Sequence, residues 1–574
     1  MKKMVLSAAL ATFGVAMAAE WNFPAGGDPK LVVPHGPETT FTEGLRAEID
    51  FSIDISKINP THHFANLFTK GKDFMDGFSV MVRDTGRMLV DVKGIEPSYY
   101  HHCVELEANR AYHLVMYITR DNVRLFLDGN EVGSYVYRGA FDFSTTAPLT
   151  IGSMAGYTFP GSITHFKLEP LAAVKVPPGG PGRLLLEPPT DQARAKILWS
   201  RAICRDRGRY VGWPTVCRLR NGDILAVFSG DREEHVCPWG KVQMARSIDG
   251  GETWEGPTTI ANGPVDDRDA GIVQMPDGDI VVTYFTSVAY RTESFLKKDW
   301  PRDDPHYWWK RHDEKISDET RRAARGYFRI VSKDDGKTWS KPTRMEGVGS
   351  APHGPVLLRD GSLFQVGITG KHRKLADGTV KKCTAVGAWK STDKGATWQC
   401  LCPDIPWSDD EGLKNMALDE PHVVELADGT LVGMIRFNGS DQYLRQTVST
   451  DGGKTWTRIV KTPMVGLPPH LIRLADGKLV CVYARRISTP CYGEYACISD
   501  DDGKTWDVAN EILLRPYHNY DIGYPSSCLL PNGDILTVYY HPRQVGEKPC
   551  LMATKWRVKS HDGLPAASGF GRLN

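Results

Sequence analysis

An excess of charge of one sign is missing from this 574-residue chain: 70 lysines and arginines face 69 aspartates and glutamates, and the formal net charge is +1. No long basic run interrupts that balance, so the electrostatic footprint of a nucleic-acid partner is absent. The twelve cysteines are scattered, without a Cys-x-x-Cys pair, and no His-Glu-x-x-His occurs. Neither a metal site nor a cofactor is therefore expected, and the cysteines read as buried thiols with one or two bridges among them. Beyond the first residues no apolar run is long enough to span a bilayer. Those first residues, "MKKMVLSAALATFGVAMAAE", combine Lys2 and Lys3, a short apolar core and Ala16-Met17-Ala18. Residues 1–18 are expected to be a secretory signal peptide. No cysteine follows the apolar core, which argues against a lipoprotein, so the expected location is periplasmic or secreted, where disulfides are permitted.

The length exceeds one ordinary core, so at least two domains are expected. Residues 20–171 alternate apolar and polar positions in short strands, most clearly in "YHLVMYITRDNVRLFLDGNEVGSY" with its Asp128-Gly129 turn. That pattern predicts a β-sandwich. With "PLTIGSMAGYTFPGSITHFKL" it resembles the concanavalin-like (laminin G type) jelly roll, a lectin-like domain that serves either to bind glycans or as a packing module. Residues 172–195, with "VKVPPGGPG" at Val174 to Gly182, read as a linker.

From 196 to 560 one pattern recurs six times, an apolar strand, an Asn-Gly or Asp-Gly turn and a second apolar strand: "TVCRLRNGDILAVFSG", "GIVQMPDGDIVVTYFTS", "PVLLRDGSLFQVGITG", "VVELADGTLVGMIRFNG", "LIRLADGKLVCVYARR" and "SSCLLPNGDILTVYYH". Five are followed by a second element, "SIDGGETW", "SKDDGKTW", "STDKGATW", "STDGGKTW" or "SDDDGKTW". In each, a small polar residue and Gly build a tight turn that the Asp side chain closes by bonding to the backbone, while Trp anchors it, which makes these aspartates structural. Repeats of this period, each about four strands long, predict an all-β fold: a six-bladed β-propeller preceded by the β-sandwich. The strand "ILWSRAI" near Ile197 is expected to complete the last blade.

Aligning the six hairpins places residues that share a level in space. The first strands open with Trp213-Pro214, Arg268-Asp269, Pro352-His353, Glu420-Pro421-His422, Pro469-His470 and Tyr524-Pro525. The end of strand two lies beside the start of strand one in an antiparallel hairpin, so Arg232, Arg436 and Arg485 or Arg486 reach the same mouth. A scaffold alone needs no such ring. A phenol with a pKa of about 10 is a weak nucleophile; a carboxylate that takes its proton, with arginines nearby, activates it. Tyrosine suits sugars whose anomeric carbon bears a carboxylate, which would repel an Asp or Glu nucleophile.

The boxes and the segments "DEPHVVELADGTLVGMIR" and "GYPSSCLLPNGDILTVYY" resemble the sialidase superfamily, across roughly Lys196 to Val558. The resemblance implies a secreted exo-sialidase acting on sialylated glycans such as those of mucin, with Tyr524 as nucleophile, Glu420 as its base and Arg436 as a carboxylate-binding arginine. Of the adjacent pair, Arg486 is taken as the further arginine. One departure is visible: sialidases carry Phe/Tyr-Arg-Ile-Pro in the first blade, whereas this chain reads "VGWPTV", with Gly212 in place of the arginine. Arg268 and Arg232 are the candidate replacements. The general acid is also displaced, since the loop after the second strand reads "GDREEHVCPWGK". Glu233, Glu234, His235 and, from the next blade, Asp269 are the candidates. His353, His422 and His470 are expected as hydrogen-bonding subsite residues. The insertion after the second hairpin is expected on the mouth face, with a helix starting at "SDETRRAAR". Two other functions fit the same residues: action on another acidic sugar, and glycan binding without catalysis.

Overall fold

The computed structural model describes residues 18–559 except 25–29, 60–63, 72–76, 85, 93–98, 121, 137–140, 142, 154–156, 172–187, 207, 303, 375–379, 408–417, 440, 487–491, 518–519 and 544–546. The expected signal peptide and the Val174 to Gly182 linker thus fall outside the described residues, Ala18 apart.

The N-terminal alternation becomes two antiparallel six-stranded sheets. In one, Gly44–Ile53 lies between Gly161–Pro170 and Ala111–Thr119; in the other, Phe64–Lys70 lies between Leu149–Ile151 and Phe78–Arg83. One apolar core takes Ile49, Leu114 and Phe166 from the first sheet and Leu67, Val80 and Val90 from the second. The hairpin read from Asp128-Gly129 joins Asn122–Leu127 to Asn130–Val136, and both turn residues have positive φ, +50° and +81°. That is what a two-residue type I′ turn requires.

The six repeats become six four-stranded antiparallel sheets, and each predicted hairpin supplies two adjacent strands of one sheet. They are Tyr210–Arg218 with Ile224–Arg232, Asp266–Gln274 with Ile280–Ser287, Val356–Leu357 with Leu363–Lys374, Leu418–Glu425 with Leu431–Phe437, His470–Arg473 with Leu479–Arg485, and Gly523–Leu529 with Ile535–His541. The last sheet takes its outer strand from the start of the region, as expected: Ala195–Cys204 pairs antiparallel with Cys550–Val558, and Ile197 stands opposite Trp556. First strands pack on first strands. Tyr210–Arg218 touches both Asp266–Gln274 and Gly523–Leu529, which gathers residues distant in sequence at one place.

The five boxes hold the sheets' outer turns. In the first, Asp249 accepts from the Thr253 amide at 2.8 Å and its hydroxyl at 2.5 Å, Ser247 Oγ accepts from the Gly251 amide at 2.9 Å, and Trp254 Nε1 donates to the Gly251 carbonyl at 3.0 Å. Asp334, Asp393, Asp451 and Asp501 repeat the pattern with Thr338, Thr397, Thr455 and Thr505. Donors from Thr253 pull the Asp249 carboxyl down to about 2, so it stays ionised and structural.

Among its described residues the insertion forms three helices, of which the sequence revealed one. Asp318–Ala324 is capped by Ser317 Oγ, which accepts from the Thr320 amide at 3.1 Å. Glu293–Lys297 and Pro305–Asp313 were not foreseen. Buried Asp313 binds them together, accepting from Tyr290 Oη at 2.7 Å, Arg291 Nε at 3.1 Å and Arg321 Nε at 3.2 Å. Among the described residues nine cysteines are free, and no helix is long and apolar enough to cross a membrane.

Candidate active site

Four first strands break their register at the same level, between Gly212 and Thr215, Arg268 and Gly271, Asp419 and His422, and Gly523 and Ser526. Inside each break sits a non-glycine residue with positive φ: Trp213 at +55°, Asp269 at +47°, Glu420 at +42° and Tyr524 at +53°. Each such conformation costs about 1–3 kcal/mol, and such strain gathers at functional sites. A bulge turns a side chain out of the strand's alternation. Here four bulges deliver an indole, two carboxylates and a phenol to one mouth.

Tyr524, 4% exposed, donates its hydroxyl hydrogen to Glu420 Oε1. Arg436 Nη1 donates to Glu420 Oε2 and lies 3.3 Å from the phenol oxygen. Arg436 is itself fixed by Asn438, whose Oδ1 accepts from its Nε at 2.5 Å and whose Nδ2 donates to Asp419 at 3.1 Å. Burial, then the charge of Glu420, holds the Tyr524 phenol well above its ordinary range, against the pull of Arg436 and Arg486. The arginines do not yield a resting phenolate; the phenol is neutral, with its proton already aimed at a carboxylate. Rings of Trp213, Tyr540 and His353 surround it at 6.3, 6.1 and 6.3 Å.

A cavity of about 1360 Å³ opens above this group, and Glu234, His235, Arg268, Asp269, Glu420, Arg436, Arg486 and Tyr524 all line it. Arg486 donates through Nε to the Tyr520 carbonyl at 2.7 Å and makes no other hydrogen bond among the described residues. Its neighbour Arg485 is taken up by Glu511, at 2.5 Å. Arg268 lays its guanidinium 4.3 Å from the Trp213 ring centre, and its Nε has no hydrogen-bond partner among the described residues.

Arg232 departs from its expected role. Its side chain is fully buried and holds Asp266 through both Nη groups, one at 2.7 Å, while Nη2 and Nε also reach the carbonyls of His235 and Glu234. It therefore shapes the Glu233 to His235 loop and presents nothing to the cavity. The three histidines also depart. His353, His422 and His470 are 3, 6 and 7% exposed and form a floor beneath the mouth, with His422 and His470 stacked at 4.2 Å. Burial pulls all three down, His422 to about 3, so they are neutral. His353 Nδ1 is 3.1 Å from Thr215 Oγ1, and His422 Nδ1 accepts from the Leu471 amide at 3.1 Å.

The acid candidates separate by surroundings. Glu233 accepts from Trp309 Nε1 of the insertion and lies 3.6 Å from Arg209 Nη1, while Glu234 is exposed. Asp269 is 5% exposed, and burial pushes its carboxyl up to about 7, Arg268 opposing and Glu420 adding. A group whose folded pKa is raised contributes stability that is whole below about pH 4 and lost as the pH rises through about 7. Urea unfolding of Asp269→Asn is therefore expected to show an advantage over wild type on the order of 2–4 kcal/mol near about pH 8 and little near about pH 4. An advantage that does not grow with pH would contradict the protonated Asp269.

Sequence reasoning missed Tyr210, Asp521, Asp419, Asn438 and Tyr520 at this mouth. At Gly212, a β-carbon would meet Tyr210 Cε1 at 3.3 Å and Tyr540 Cγ at 3.6 Å, so two aromatic rings occupy the direction an arginine there would take. Among the described residues no group of three or more His, Cys, Asp or Glu side chains is placed to hold a metal ion.

Two family models match parts of the chain. A BNR repeat-like domain matches residues 305–537, and a concanavalin A-like lectin/glucanase domain matches residues 56–172. A curated sialidase of Bacteroides fragilis is 25% identical over 344 residues, 55% of this chain and 57% of that protein. The chain thus spans little more than half of that relative's length. A Dyadobacter fermentans protein of unknown function has a similar fold, with a TM-score of 0.50 at 22% identity over 64% of this chain and 99% of its own. The NanB sialidase of Streptococcus pneumoniae aligns over 94% of this chain and 98% of its own, at 14% identity and a TM-score of 0.42.

Proposed function

We propose that this chain, a member of the sialidase superfamily with an N-terminal lectin-like domain, is a secreted exo-sialidase that releases terminal sialic acid from glycans such as those of mucin. On this reading the six four-stranded sheets are the blades of a propeller, residues 196–560, and the two N-terminal sheets are a jelly-roll sandwich, residues 20–171. The observation that carries the proposal is the hydrogen-bonded Tyr524, Glu420 and Arg436 at the cavity floor. As Tyr524 Oη attacks the anomeric carbon, its proton passes to Glu420, and the phenol never needs to exist as a free anion. Arg436 stays beside both oxygens and offsets the charge that moves between them. Arg436, Arg486 and Arg268 supply the cationic wall for the substrate carboxylate, and the last compensates for the glycine at 212.

Free sialic acid released from sialyllactose tests the proposal. Turnover of a uronic or different ulosonic acid in its place would move the assignment to another acidic sugar, a reading that the filled space at Gly212 also fits. Tight glycan binding without turnover would make the protein a binding module. Arg268→Ala is expected to weaken an unsaturated sialic acid analogue by about 2–5 kcal/mol, because one partner of a desolvated charge pair is lost. Unchanged inhibition would remove Arg268 from the carboxylate site.

A further inference from the structure

The same cavity is lined by a second hydrogen-bonded group, distinct from Tyr524, Glu420 and Arg436. Tyr210 Oη donates to Asp521 Oδ1 at 2.6 Å, and His235 Nδ1 lies 3.3 Å from the same phenol oxygen and 4.0 Å from the carboxylate. Since the Tyr210 hydrogen is committed to Asp521, its oxygen accepts from Nδ1–H, which fixes the orientation of the imidazole. Nε2 makes no hydrogen bond among the described residues. The ring stands edge-on to Trp213 at 4.8 Å, and its side chain is 49% exposed, at the rim of the cavity that Tyr524 floors. We infer that Asp521 and Tyr210 orient His235 as the proton donor to the departing aglycone, an inference that rests on the sialidase reading above.

Position separates His235 from Asp269. The aglycone leaves toward solvent, and a donor must reach the glycosidic oxygen from that side; His235 stands at the rim, whereas Asp269 is 5% exposed beside Arg268. The proton balance is complete. In the first step the His235 imidazolium gives its Nε2 proton to the glycosidic oxygen as that oxygen's bond to the anomeric carbon breaks, which leaves the ring neutral with its hydrogen on Nδ1, while the Tyr524 oxygen bonds the carbon and Glu420 takes the phenol proton. In the second, water attacks the same carbon and gives its proton to His235, while Tyr524 leaves and recovers its own from Glu420. The carboxylate and phenol behind the ring support the imidazolium, as a buried acid does in hydrolase triads. The groups that face the ring are Asp521 and Tyr210 together with Arg268 and Arg486. Desolvation holds the imidazole below its ordinary range, and the arginines add to that effect, whereas Asp521 opposes it.

The test compares a sialoside with a poor leaving group, sialyllactose, and one with a good leaving group, 4-methylumbelliferyl sialoside, because loss of a proton donor harms the first far more. Asp521→Asn and Tyr210→Phe are each expected to lower kcat/KM for sialyllactose about tenfold more than for the aryl sialoside. The basic limb of the sialyllactose pH profile is expected to move to lower pH in Asp521→Asn. Equal losses on the two substrates, or a leaving-group-dependent loss in Asp269→Asn alone, would overturn the assignment. A second readout needs no turnover: modification of His235 by diethylpyrocarbonate, followed by mass spectrometry, reports its titration midpoint. Asp521→Asn is expected to lower that midpoint, and an unmoved midpoint would overturn the relay even if sialosides proved not to be the substrate. Should neither sialoside be cleaved by the wild type while the midpoint still moves, the exo-sialidase proposal fails and the relay stands.

Discussion

Tyr524→Phe is expected to lose sialoside hydrolysis by about three orders of magnitude or more, while its unfolding free energy stays within about 1–2 kcal/mol of wild type. The change deletes one oxygen. The ring keeps its packing against Trp213 and Tyr540, and the positive φ at 524 is no worse for phenylalanine than for tyrosine. Glu420 loses one donor but retains Arg436, so no buried charge is stranded. A large fall in activity with an intact fold therefore isolates the nucleophilic oxygen. A fall of less than about tenfold would mean that the ring alone suffices.

Glu420→Gln is expected to cost about 10²–10⁴ in kcat/KM, with similar losses on sialyllactose and on the aryl sialoside. The amide preserves shape and can still accept the Tyr524 hydrogen bond, but it cannot take the proton. Because the base acts on attack and not on departure, leaving-group quality should not change the deficit. Loss confined to the poor leaving group would instead make Glu420 the acid. The two substrates thus divide the mouth into an attacking side, Tyr524 and Glu420, and a departing side, His235 with its support.

Much of this architecture was legible from the sequence, because a repeat constrains space. Once the Asn-Gly and Asp-Gly turns were aligned, Trp213, Asp269, Glu420 and Tyr524 fell at one level, and the structure puts all four at bulges of first strands. What alignment cannot supply is direction. The bulged residue faces the mouth, whereas two places on from Trp213, Glu420 and Tyr524 the side chains of Thr215, His422 and Ser526 are buried, and His353 and His470 pack against His422, so the three histidines expected in the cavity lie beneath it. Arg232 eluded the reading for a different reason: its fate is set by Asp266, from the next sheet, and a contact 34 residues away leaves no local signal. The Asp521 and Tyr210 pair spans 311 residues, so no local pattern announces it. In the insertion, Thr292 and Asp304 cap short helices, whose 5 and 9 residues are too few to show a helical period.

The central claim is that Tyr524 forms a covalent aryl glycoside. Two displacements at the anomeric carbon preserve configuration, so the first sugar released from an α-sialoside must be the α anomer, before mutarotation. A water activated at the mouth, with Tyr524 only stabilising positive charge, would displace once and invert. A proton NMR time course of α-sialoside cleavage, read before mutarotation sets in, is therefore the most direct measurement. α-Sialic acid as first product is the predicted result, and β-sialic acid as first product would contradict the nucleophilic role of Tyr524.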